Sequence, residues 1–487
     1  MQQLQSTQAA PVWSFFEKIC EIPHPSKHEQ QLADWIIIWA NSKNISCFQD
    51  KIGNLILKKP ASAGYEDKTP VILQCHLDMV PQKNNDKEHD FLVDPITLII
   101  DEEGDWLHAD GTTLGADNGI GMASCLAILD DDNIEHGPIE VLITTDEETG
   151  MTGAFGLEAG SLEGKILINT DSEQEGELYI GCAGGVNVNV TLPYEKMEPD
   201  IDDRAYEITI SGLQGGHSGV DINLGRGNAI KELATVLSNL DASPFLISSL
   251  TGGSLRNAIP REASAVIVCA QQYQNSLEVL INTLQVSLNT KYRESENIIS
   301  ITIKPCALPS SVLTHSSHDN LLKALLGCPN GVYSMDPDFP DVVETSSNFG
   351  VITQQNDPVS QFSMQILVRS QIEEAKQNKA SSIAEYFEQF NAKVTKQGNY
   401  PGWAPNKDSA IYQIMETEYQ TLFGNKPDAM VIHAGLECGL FSEKYPHWDM
   451  ISFGPTIKYP HSPNEKVDIE SVDHYWALLK ATLKAIE

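Results

Sequence analysis

The sequence predicts an α/β protein of two domains: one with a mostly parallel central sheet flanked by helices, and one inserted into it. Three observations lead to this prediction. The chain has 487 residues, more than one hydrophobic core usually supports. Its first part alternates apolar strand patterns with helical patterns, as parallel sheets do. The pattern changes near residues 181–185 and returns near Pro401, which indicates an insertion.

The composition is that of a globular protein and argues against two classes of partner. Hydrophobic residues make up 41% of the chain, and the formal net charge is −35. Nucleic acids and anionic membranes both attract basic surfaces, so we expect neither as a partner. The nine cysteines form no C-x-x-C pair, which indicates reduced thiols and a cytoplasmic protein. Residues 1–18 lack the pattern of a secretory signal.

The elements of the first domain follow from apolar spacing. Ser26 and Glu29 form a capping-box pattern, and the spacing that follows predicts a helix within 13–40. Apolar runs predict strands at 52–58, 70–75, 139–145 and 165–170, and a helix at 120–130. After the insertion we expect a helix at 408–423, strands at 429–433 and 450–453, and a closing helix at 469–486. The first domain would therefore be discontinuous.

The inserted domain is predicted to span residues 187–398, leaving 1–186 and 399–487 for the first domain. Strand patterns occur at 205–211, 263–270, 298–303 and 361–369. Amphipathic helices are expected near 226–240, 273–289 and 371–390. Mixed strands and helices indicate an α/β domain with a core of its own.

The strand at 70–75 runs into His76-Leu77-Asp78. Residues i and i+2 of a strand point to the same side, so the imidazole and the carboxylate would leave one face together. A metal-binding histidine commonly has a carboxylate near its other ring nitrogen. The alternative for this motif alone is a core histidine with a neighbouring acid.

Further acidic residues follow the other predicted strands. Asp146, Glu147 and Glu148 end the strand at 139–145, and Asp171 ends the strand at 165–170. Adjacent acids repel one another unless a cation lies between them, although a solvated acidic loop is the alternative. Ligands of parallel sheets bind beyond the carboxyl ends of the strands. These side chains are therefore expected at one edge of the sheet.

Two more candidates lie at element ends. Asp117 precedes the helix at 120–130, where an N-cap aspartate is the alternative interpretation. His461 follows the last predicted strand, within Tyr459-Pro460-His461-Ser462-Pro463. Two imidazoles and three carboxylates suit Zn²⁺, with Mn²⁺ or Co²⁺ as substitutes. Two ions sharing one carboxylate, with one of Glu147 and Glu148 free to move a proton, would suit the hydrolysis of peptide bonds.

Several separated motifs together resemble the M20 family of metallopeptidases. They are HLDMVPQK, LGADNGIG, TTDEETGMTGA, NTDSEQEG, GGHSGVDI and the final YPHSPNE. The resemblance covers nearly the whole chain and is strongest to bacterial members that cleave Xaa-His dipeptides, including the carnosine-like β-alanyl-histidine. It implies a zinc-peptidase-like catalytic domain, a cytoplasmic metallo-dipeptidase and two Zn²⁺ per subunit.

The resemblance also implies how five residues share the two ions. One zinc ion would be held by His76, Asp117 and Asp171. The other would be held by Asp117, Glu148 and His461, so that Asp117 bridges the pair. An Asp at position 171, rather than a Glu, accompanies dipeptidase and aminopeptidase activity in similar enzymes.

Three further features are implied around these ligands. Glu147 would be the general acid/base, and Asp78 would be the partner of His76. A cis peptide bond is expected between Asp117 and Asn118.

For residues 187–398 the resemblance implies a lid domain that mediates homodimerisation. His217 would steady the oxyanion of the reaction, although a turn histidine is the alternative from the residues alone. Asn257, Arg369 and Gly435 would bind substrate. An arginine can hold a carboxylate through two parallel hydrogen bonds, and an exposed strand-end charge is the alternative for Arg369.

Other functions remain open at this stage. An M20 tripeptidase or an N-acyl-amino-acid deacylase would use the same metal centre. A peptide-binding protein without catalysis is the alternative from another class, since a fold does not assign a function.

Overall fold

A computed structural model describes residues 3–84, 86–240, 244–356 and 359–487. The chain divides into two compact units. The first comprises the chain up to Cys182 with Trp403–Val431 and Leu436–Glu487, and the second comprises Ala183–Gly402 with Ile432–Gly435. The divisions near 182 and 402 lie within four residues of the predicted boundaries. The return of residues 432–435 to the second unit was not predicted.

The first unit opens with a short 3₁₀ helix, Leu4–Ser6. The elements that follow up to Cys182 are α1 (Ala10–Cys20), α2 (Gln30–Ser42), β1 (Ser46–Gln49), β2 (Leu55–Lys59), β3 (Val71–His76), β4 (Leu98–Ile100), β5 (Trp106–Ala109), α3 (Ala116–Asp130), β6 (Ile139–Thr144), α4 (Glu147–Gly150), α5 (Thr152–Gly156), β7 (Ile166–Asn169) and β8 (Glu177–Cys182).

The second unit contains a further 3₁₀ helix, Gln271–Tyr273. Its other elements are β9 (Gly184–Pro193), β10 (Lys196–Met197), β11 (Asp203–Ser211), β12 (Gly216–His217), α6 (Ala229–Ser238), β13 (Phe245–Gly252), β14 (Ala258–Ile259), β15 (Ala263–Ala270), α7 (Gln274–Lys291), β16 (Ser300–Cys306), β17 (Val312–Leu313), α8 (His315–Gly327), β18 (Gly331–Met335), β19 (Val343–Gln355), β20 (Gln361–Ser370), α9 (Glu373–Glu388) and β21 (Lys393–Tyr400).

The chain then returns to the first unit. The closing elements are α10 (Ala410–Phe423), β22 (Asp428–Ile432), α11 (Glu437–Lys444), β23 (Asp449–Ser452), β24 (Ile457–Lys458), β25 (Lys466–Asp468) and α12 (Ile469–Ala485).

The main sheet of the first unit has the strand order β1-β2-β6-β3-β7-β23-β8-β22. Its four central strands, β6, β3, β7 and β23, run parallel. The pairs β1 with β2, β2 with β6 and β23 with β8 are antiparallel. Every residue of β3, β6 and β7 is buried, which explains why these strands read as continuous apolar runs. The predicted parallel sheet is confirmed at the centre, and its edges are antiparallel.

The second unit is built on a nine-stranded antiparallel sheet. Eight strands follow the order β16-β11-β15-β13-β19-β20-β9-β21, and β18 pairs with β19. The apolar face of this sheet forms a core with side chains of α6, α7, α8 and α9, such as Leu233, Leu277, Leu321 and Ile383. The inserted α/β unit therefore has a core of its own, as expected from its patterns.

The capping box predicted for Ser26 and Glu29 is wrong. Residues 13–40 contain most of two helices, α1 and α2, and α2 begins at Gln30 without a side-chain cap. The carboxylate of Glu29 accepts hydrogen bonds from the backbone N–H groups of Lys27 and Asp146, each at 3.0 Å, instead of completing a capping box with Ser26.

Among the described residues, no helix combines the length and the apolar character that a membrane crossing requires.

Candidate metal centre

The candidate centre lies at the carboxyl ends of the central strands of the first unit. His76 is the last residue of β3. Glu147 and Glu148 open the short helix α4 just after β6, and Asp171 follows β7 by two residues. Because these strands are parallel neighbours, their ends bring the side chains to one edge of the sheet.

Asp117 lies between the two histidines. Its Oδ1 atom is 3.1 Å from Nε2 of His76, and its Oδ2 atom is 3.1 Å from Nε2 of His461. The side chain of His76 is 1% exposed, whereas that of His461 is 50% exposed. One carboxylate thus faces a buried imidazole with one oxygen and a solvent-accessible imidazole with the other.

Each histidine also faces a second carboxylate. Asp171 Oδ1 lies 3.2 Å from Nε2 of His76, and Glu148 Oε1 lies 3.0 Å from Nε2 of His461. Two groups of three donor atoms, each within 4.8 Å of one another, result: His76 with Asp117 and Asp171, and His461 with Asp117 and Glu148. These are the two sets that the M20 resemblance implies, and their metal-binding role stays a prediction.

Asp78 lies beside the other ring nitrogen of His76, although the two residues do not share a strand. Strand β3 ends at His76, so the two-residue alternation does not extend to Asp78. Nδ1 of His76 lies 3.0 Å from the backbone carbonyl oxygen of Asp78 and 3.4 Å from its carboxylate. The carboxylate accepts hydrogen bonds from the backbone N–H groups of Glu147, at 2.9 Å, and Glu148, at 3.3 Å. Asp78 therefore orients both the buried imidazole and the start of α4.

Asn118 connects the start of α3 with the end of β7. The peptide bond between Asp117 and Asn118 is cis, which confirms that expectation. The side-chain amide of Asn118 donates hydrogen bonds to the backbone carbonyl of Thr170, at 2.9 Å, and to the carboxylate of Asp171. The amide of Asn118 thus holds the carboxylate of Asp171, which faces His76, and the backbone just before it.

The charges at this cluster shift the pKa values of its members. Burial lowers the pKa of His76, but the charge of Asp171 and the hydrogen bonds to Asp117 and Asp171 outweigh it, so the pKa lies well above 6.5. Hydrogen bonds to Asp117 and Glu148 raise the pKa of His461 to about 11. Burial raises the pKa of Glu147 well above 4.5. The carboxylates therefore favour the positively charged form of both imidazoles.

This donor set fits two divalent cations. Imidazole nitrogen and carboxylate oxygen are ligands of Zn²⁺, Mn²⁺ and Co²⁺, and a bound cation would supply the positive charge that the clustered acids favour. Asp117 offers one oxygen to each group of donors, so it suits a bridging position. Glu147 lies with His76 and Glu148 in a third group of donor atoms within 4.8 Å, so its carboxylate is close to both of the other groups.

The other predicted site residues, His217, Asn257, Arg369 and Gly435, lie in the second unit. Arg369 on β20 is 5% exposed and donates hydrogen bonds from Nη1 to the Tyr400 hydroxyl, at 2.8 Å, and from Nη2 toward Nε2 of His217, at 3.4 Å. Arg369 is therefore buried, and the interpretation as an exposed strand-end charge is wrong. Within the described part of the chain, its Nε atom has no hydrogen-bond partner.

His217 and Asn257 lie on neighbouring segments of the second unit. His217 in β12 pairs with Ala258 in β14, and the backbone carbonyl of Asn257 accepts a hydrogen bond from the N–H of Ser218 at 2.8 Å. Burial and the charge of Arg369 lower the pKa of His217 to about 4, so its imidazole is neutral at pH 7. His217 is thus paired with β14 and also opens a turn, in which its Nδ1 accepts hydrogen bonds from the N–H groups of Gly219, at 3.3 Å, and Val220, at 3.2 Å.

The sequence predicted no role for two buried carboxylates of the first unit, Glu437 and Glu465. Glu437 is fully buried and accepts hydrogen bonds from Gln74, at 2.6 Å, and Thr144, at 2.8 Å, beneath the ends of β3 and β6. Burial raises its pKa to about 8. Glu465 accepts hydrogen bonds from the backbone next to Asp117. Glu465 ends the YPHSPNE motif and Glu437 follows Gly435 by two residues, so their positions near predicted site residues were the available signal.

The chain is similar to known peptidases. A family model described as "Peptidase family M20/M25/M40" matches residues 72–485. The chain is 46% identical to the cytosol non-specific dipeptidase of Escherichia coli K12 over 487 residues, which are 100% of this chain and 99% of that protein.

Solved structures are also similar. The crystal structure of the aminoacylhistidine dipeptidase from Vibrio alginolyticus has a TM-score of 0.90 and 47% identity, with 99% of this chain and 98% of that chain covered. A tripeptidase from Staphylococcus aureus has a TM-score of 0.59 with 15% identity, covering 97% of each chain, and so shares the fold.

The family model covers most of the sequence, and the similarity to the E. coli protein extends over the whole of it. Both confirm the resemblance that the separated motifs indicated, and with it the hydrolysis of peptide bonds. This chain belongs to peptidase family M20/M25/M40.

Proposed function

We propose that this peptidase is a two-metal dipeptidase of the cytoplasm that hydrolyses Xaa-His dipeptides, β-alanyl-histidine included. The observation that carries the proposal is the position of Asp117, whose two carboxylate oxygens each lie 3.1 Å from a different imidazole nitrogen. A shared carboxylate between two sets of donors is what a dinuclear hydrolytic centre needs. The dipeptide specificity is supported by the names of the E. coli and V. alginolyticus proteins, which are 46% and 47% identical to this chain.

The proposed ligands are His76, Asp117 and Asp171 for one Zn²⁺, and Asp117, Glu148 and His461 for the other. When bound, the two cations supply Lewis-acid activation of a water molecule and of the scissile carbonyl. Co²⁺ or Mn²⁺ would provide the same chemistry, because both accept nitrogen and oxygen ligands.

Glu147 is the proposed general acid/base. Its carboxylate takes the proton of the attacking water and gives it to the leaving amine nitrogen. Two contacts of its neighbours support this role: Asp78 holds the backbone N–H of Glu147, and Glu148 faces His461, so the two adjacent carboxylates have different surroundings. Asp78 acts through the orientation of His76 and α4.

Residues of the second unit are proposed to bind the two ends of the substrate. The Arg369 guanidinium would bind the carboxylate of the dipeptide, which is supported by its burial and by an Nε atom without a partner among the described residues. His217 would steady the oxyanion as a neutral imidazole. Asn257 and Gly435 would contact the substrate. The second unit would act as a lid and mediate homodimerisation.

The cytoplasmic location has two supports. The name of the E. coli relative places that protein in the cytosol. None of the nine cysteines, all of which lie in the described part of the chain, forms a disulfide bond, which agrees with a reducing compartment.

Initial rates on three substrates test the proposed function. The purified zinc-loaded enzyme is compared on β-alanyl-histidine, on a tripeptide and on an N-acetyl amino acid, each over a range of concentrations. We expect the highest kcat/KM on the dipeptide. Fastest turnover of the tripeptide would make the chain a tripeptidase, and fastest turnover of the acetylated compound would make it a deacylase. Sedimentation of the same preparation tests the homodimer.

A further inference from the structure

Glu465 is a buried carboxylate that holds four consecutive backbone N–H groups. Glu465 is 2% exposed. Oε2 accepts hydrogen bonds from the N–H groups of Leu114, at 2.8 Å, and Gly115, at 3.1 Å. Oε1 accepts hydrogen bonds from the N–H groups of Ala116, at 2.8 Å, and Asp117, at 3.3 Å. All of these contacts lie within the first unit.

The four N–H groups converge because of the local backbone. Gly115 has φ of +71°, a left-handed conformation that a residue with a side chain adopts at a cost. A Cβ atom at this position would also lie 3.0 Å from Sδ of Met79. Successive N–H groups in such a turn form a concavity that binds an anion. A buried carboxylate needs such partners, so the turn and Glu465 stabilise each other.

The same side chain joins the segments that carry two of the proposed metal ligands. Glu465 follows His461 by four residues, and its backbone N–H donates to the carbonyl of Ser462 at 3.0 Å. The hydroxyl of Ser462 donates in turn to the carbonyl of Tyr459 at 2.8 Å. The loop of His461 is therefore a tight turn, and Glu465 fastens it to the backbone of Asp117.

We propose that Glu465 is a positioning residue of the metal centre, which sets the backbone of Asp117 so that its two oxygens face two cations. The inference rests on the proposed function, because it assumes that Asp117 bridges two ions. If Glu465 only stabilised the fold, its substitution would lower the stability of the metal-free and the metal-bound protein equally. A positioning residue affects metal affinity beyond its effect on folding.

The Glu465→Gln substitution separates these possibilities. An amide has one carbonyl oxygen, so its NH₂ group would face two backbone N–H groups and oppose them. The matched control is Glu140→Gln. Glu140 is also buried in the first unit and accepts hydrogen bonds from two backbone N–H groups, those of Glu163 at 2.7 Å and Gly164 at 2.8 Å, but it holds no proposed ligand.

The experiment measures zinc affinity by competition with a chelating dye, and the melting temperature of each protein with and without Zn²⁺. We expect Glu465→Gln to weaken zinc binding about 10- to 100-fold, as substitutions of residues that orient metal ligands do. Its zinc-dependent rise in melting temperature should shrink. Glu140→Gln should lower the melting temperature without changing zinc affinity. Wild-type zinc affinity in folded Glu465→Gln would overturn the inference.

A measurement on the wild-type protein keeps the inference testable if Glu465→Gln does not fold. Hydrogen exchange of the amides of residues 114–117 is followed after removal of metal by a chelator. We expect these amides to be protected already, because Glu465 holds them before any ion binds. Free exchange until Zn²⁺ is added would overturn the inference. A wild-type protein that binds no zinc would instead overturn the proposed function.

Discussion

Oδ1 of Asp78 accepts a hydrogen bond of 2.9 Å from the backbone N–H of Glu147. The other oxygen of the same carboxylate accepts a bond of 3.3 Å from the N–H of Glu148. Asp78 is 2% exposed, so these bonds form away from competing water. Asp78 therefore holds the first turn of α4, in which the proposed base Glu147 lies.

The Asp78→Asn substitution should lower kcat about 10- to 100-fold, because an amide cannot accept both backbone N–H groups at once. The matched control is Asp50→Asn, since Asp50 accepts N–H groups of Ile52, Gly53 and Asn54 in a turn with no proposed ligand. Steady-state rates on β-alanyl-histidine at saturating zinc measure the effect. A variant with wild-type kcat would remove Asp78 from the orientation of α4.

Glu147→Gln should bind two ions per chain and lose turnover by roughly 10²- to 10⁴-fold, because the amide cannot accept the proton of the attacking water. Elemental analysis and rates on the same preparation measure both quantities. Glu158→Gln serves as a control, since the Glu158 side chain is 77% exposed and pairs only with Lys51 among the ion pairs of the described chain. Turnover within tenfold of the wild type would exclude Glu147 as the base.

His461→Ala should lower the metal content of the purified protein by at least one ion per chain. The substitution removes the imidazole that faces both Asp117 and Glu148. His474→Ala is the matched control, because His474 pairs with Glu175 at 2.6 Å in the same unit but faces no proposed ligand. An unchanged metal content in His461→Ala would remove His461 from the ligand set.

The stability of the protein should fall on acidification partly through His433. Burial and the charge of Arg369 lower the pKa of His433 to about 3 in the folded chain, from 6.5. Between about pH 6.5 and pH 3 the unfolded chain therefore binds a proton at this residue that the folded chain does not. The free energy of unfolding decreases with falling pH in this window, by up to ~1.4 kcal/mol per pH unit for this one group.

Urea unfolding of wild type and His433→Gln at pH 6.5, 5.5 and 4.5 tests this prediction. Glutamine can still reach the hydroxyl of Ser346, which lies 2.7 Å from Nε2 of His433, but it does not titrate. The free energy of unfolding of the wild type should fall relative to that of His433→Gln as the pH falls. A constant difference across the three pH values would contradict the lowered pKa of His433.

The sequence predicted the strand ends of the first unit well, because a strand buried on both faces leaves a continuous apolar run. The predicted strands at 70–75, 139–145 and 165–170 end within one residue of β3, β6 and β7, and polar side chains follow each of them. The parallel order of the strands then brings these residues together. Their grouping was thus predictable from local patterns and one topological rule.

Contacts between distant segments were not predictable in this way. The bond between Glu465 and the N–H of Gly115 joins residues 350 positions apart, and no local pattern marks it. The sequence pattern predicts a capping box with Glu29, but the Glu29 carboxylate accepts a hydrogen bond from the N–H of Asp146, 117 positions away. In both cases a buried backbone donor required a partner, and a distant carboxylate supplied it.

The central claim is that Asp117 bridges two ions between His76 and His461. Anomalous diffraction from crystals of the zinc-loaded protein tests it most directly, because it locates each zinc ion without reference to activity. We expect two peaks per chain roughly 3.5–4 Å apart, one beside His76 and Asp171 and one beside His461 and Glu148, with a carboxylate oxygen of Asp117 next to each. A single peak, or a second peak away from Asp117, would contradict the account.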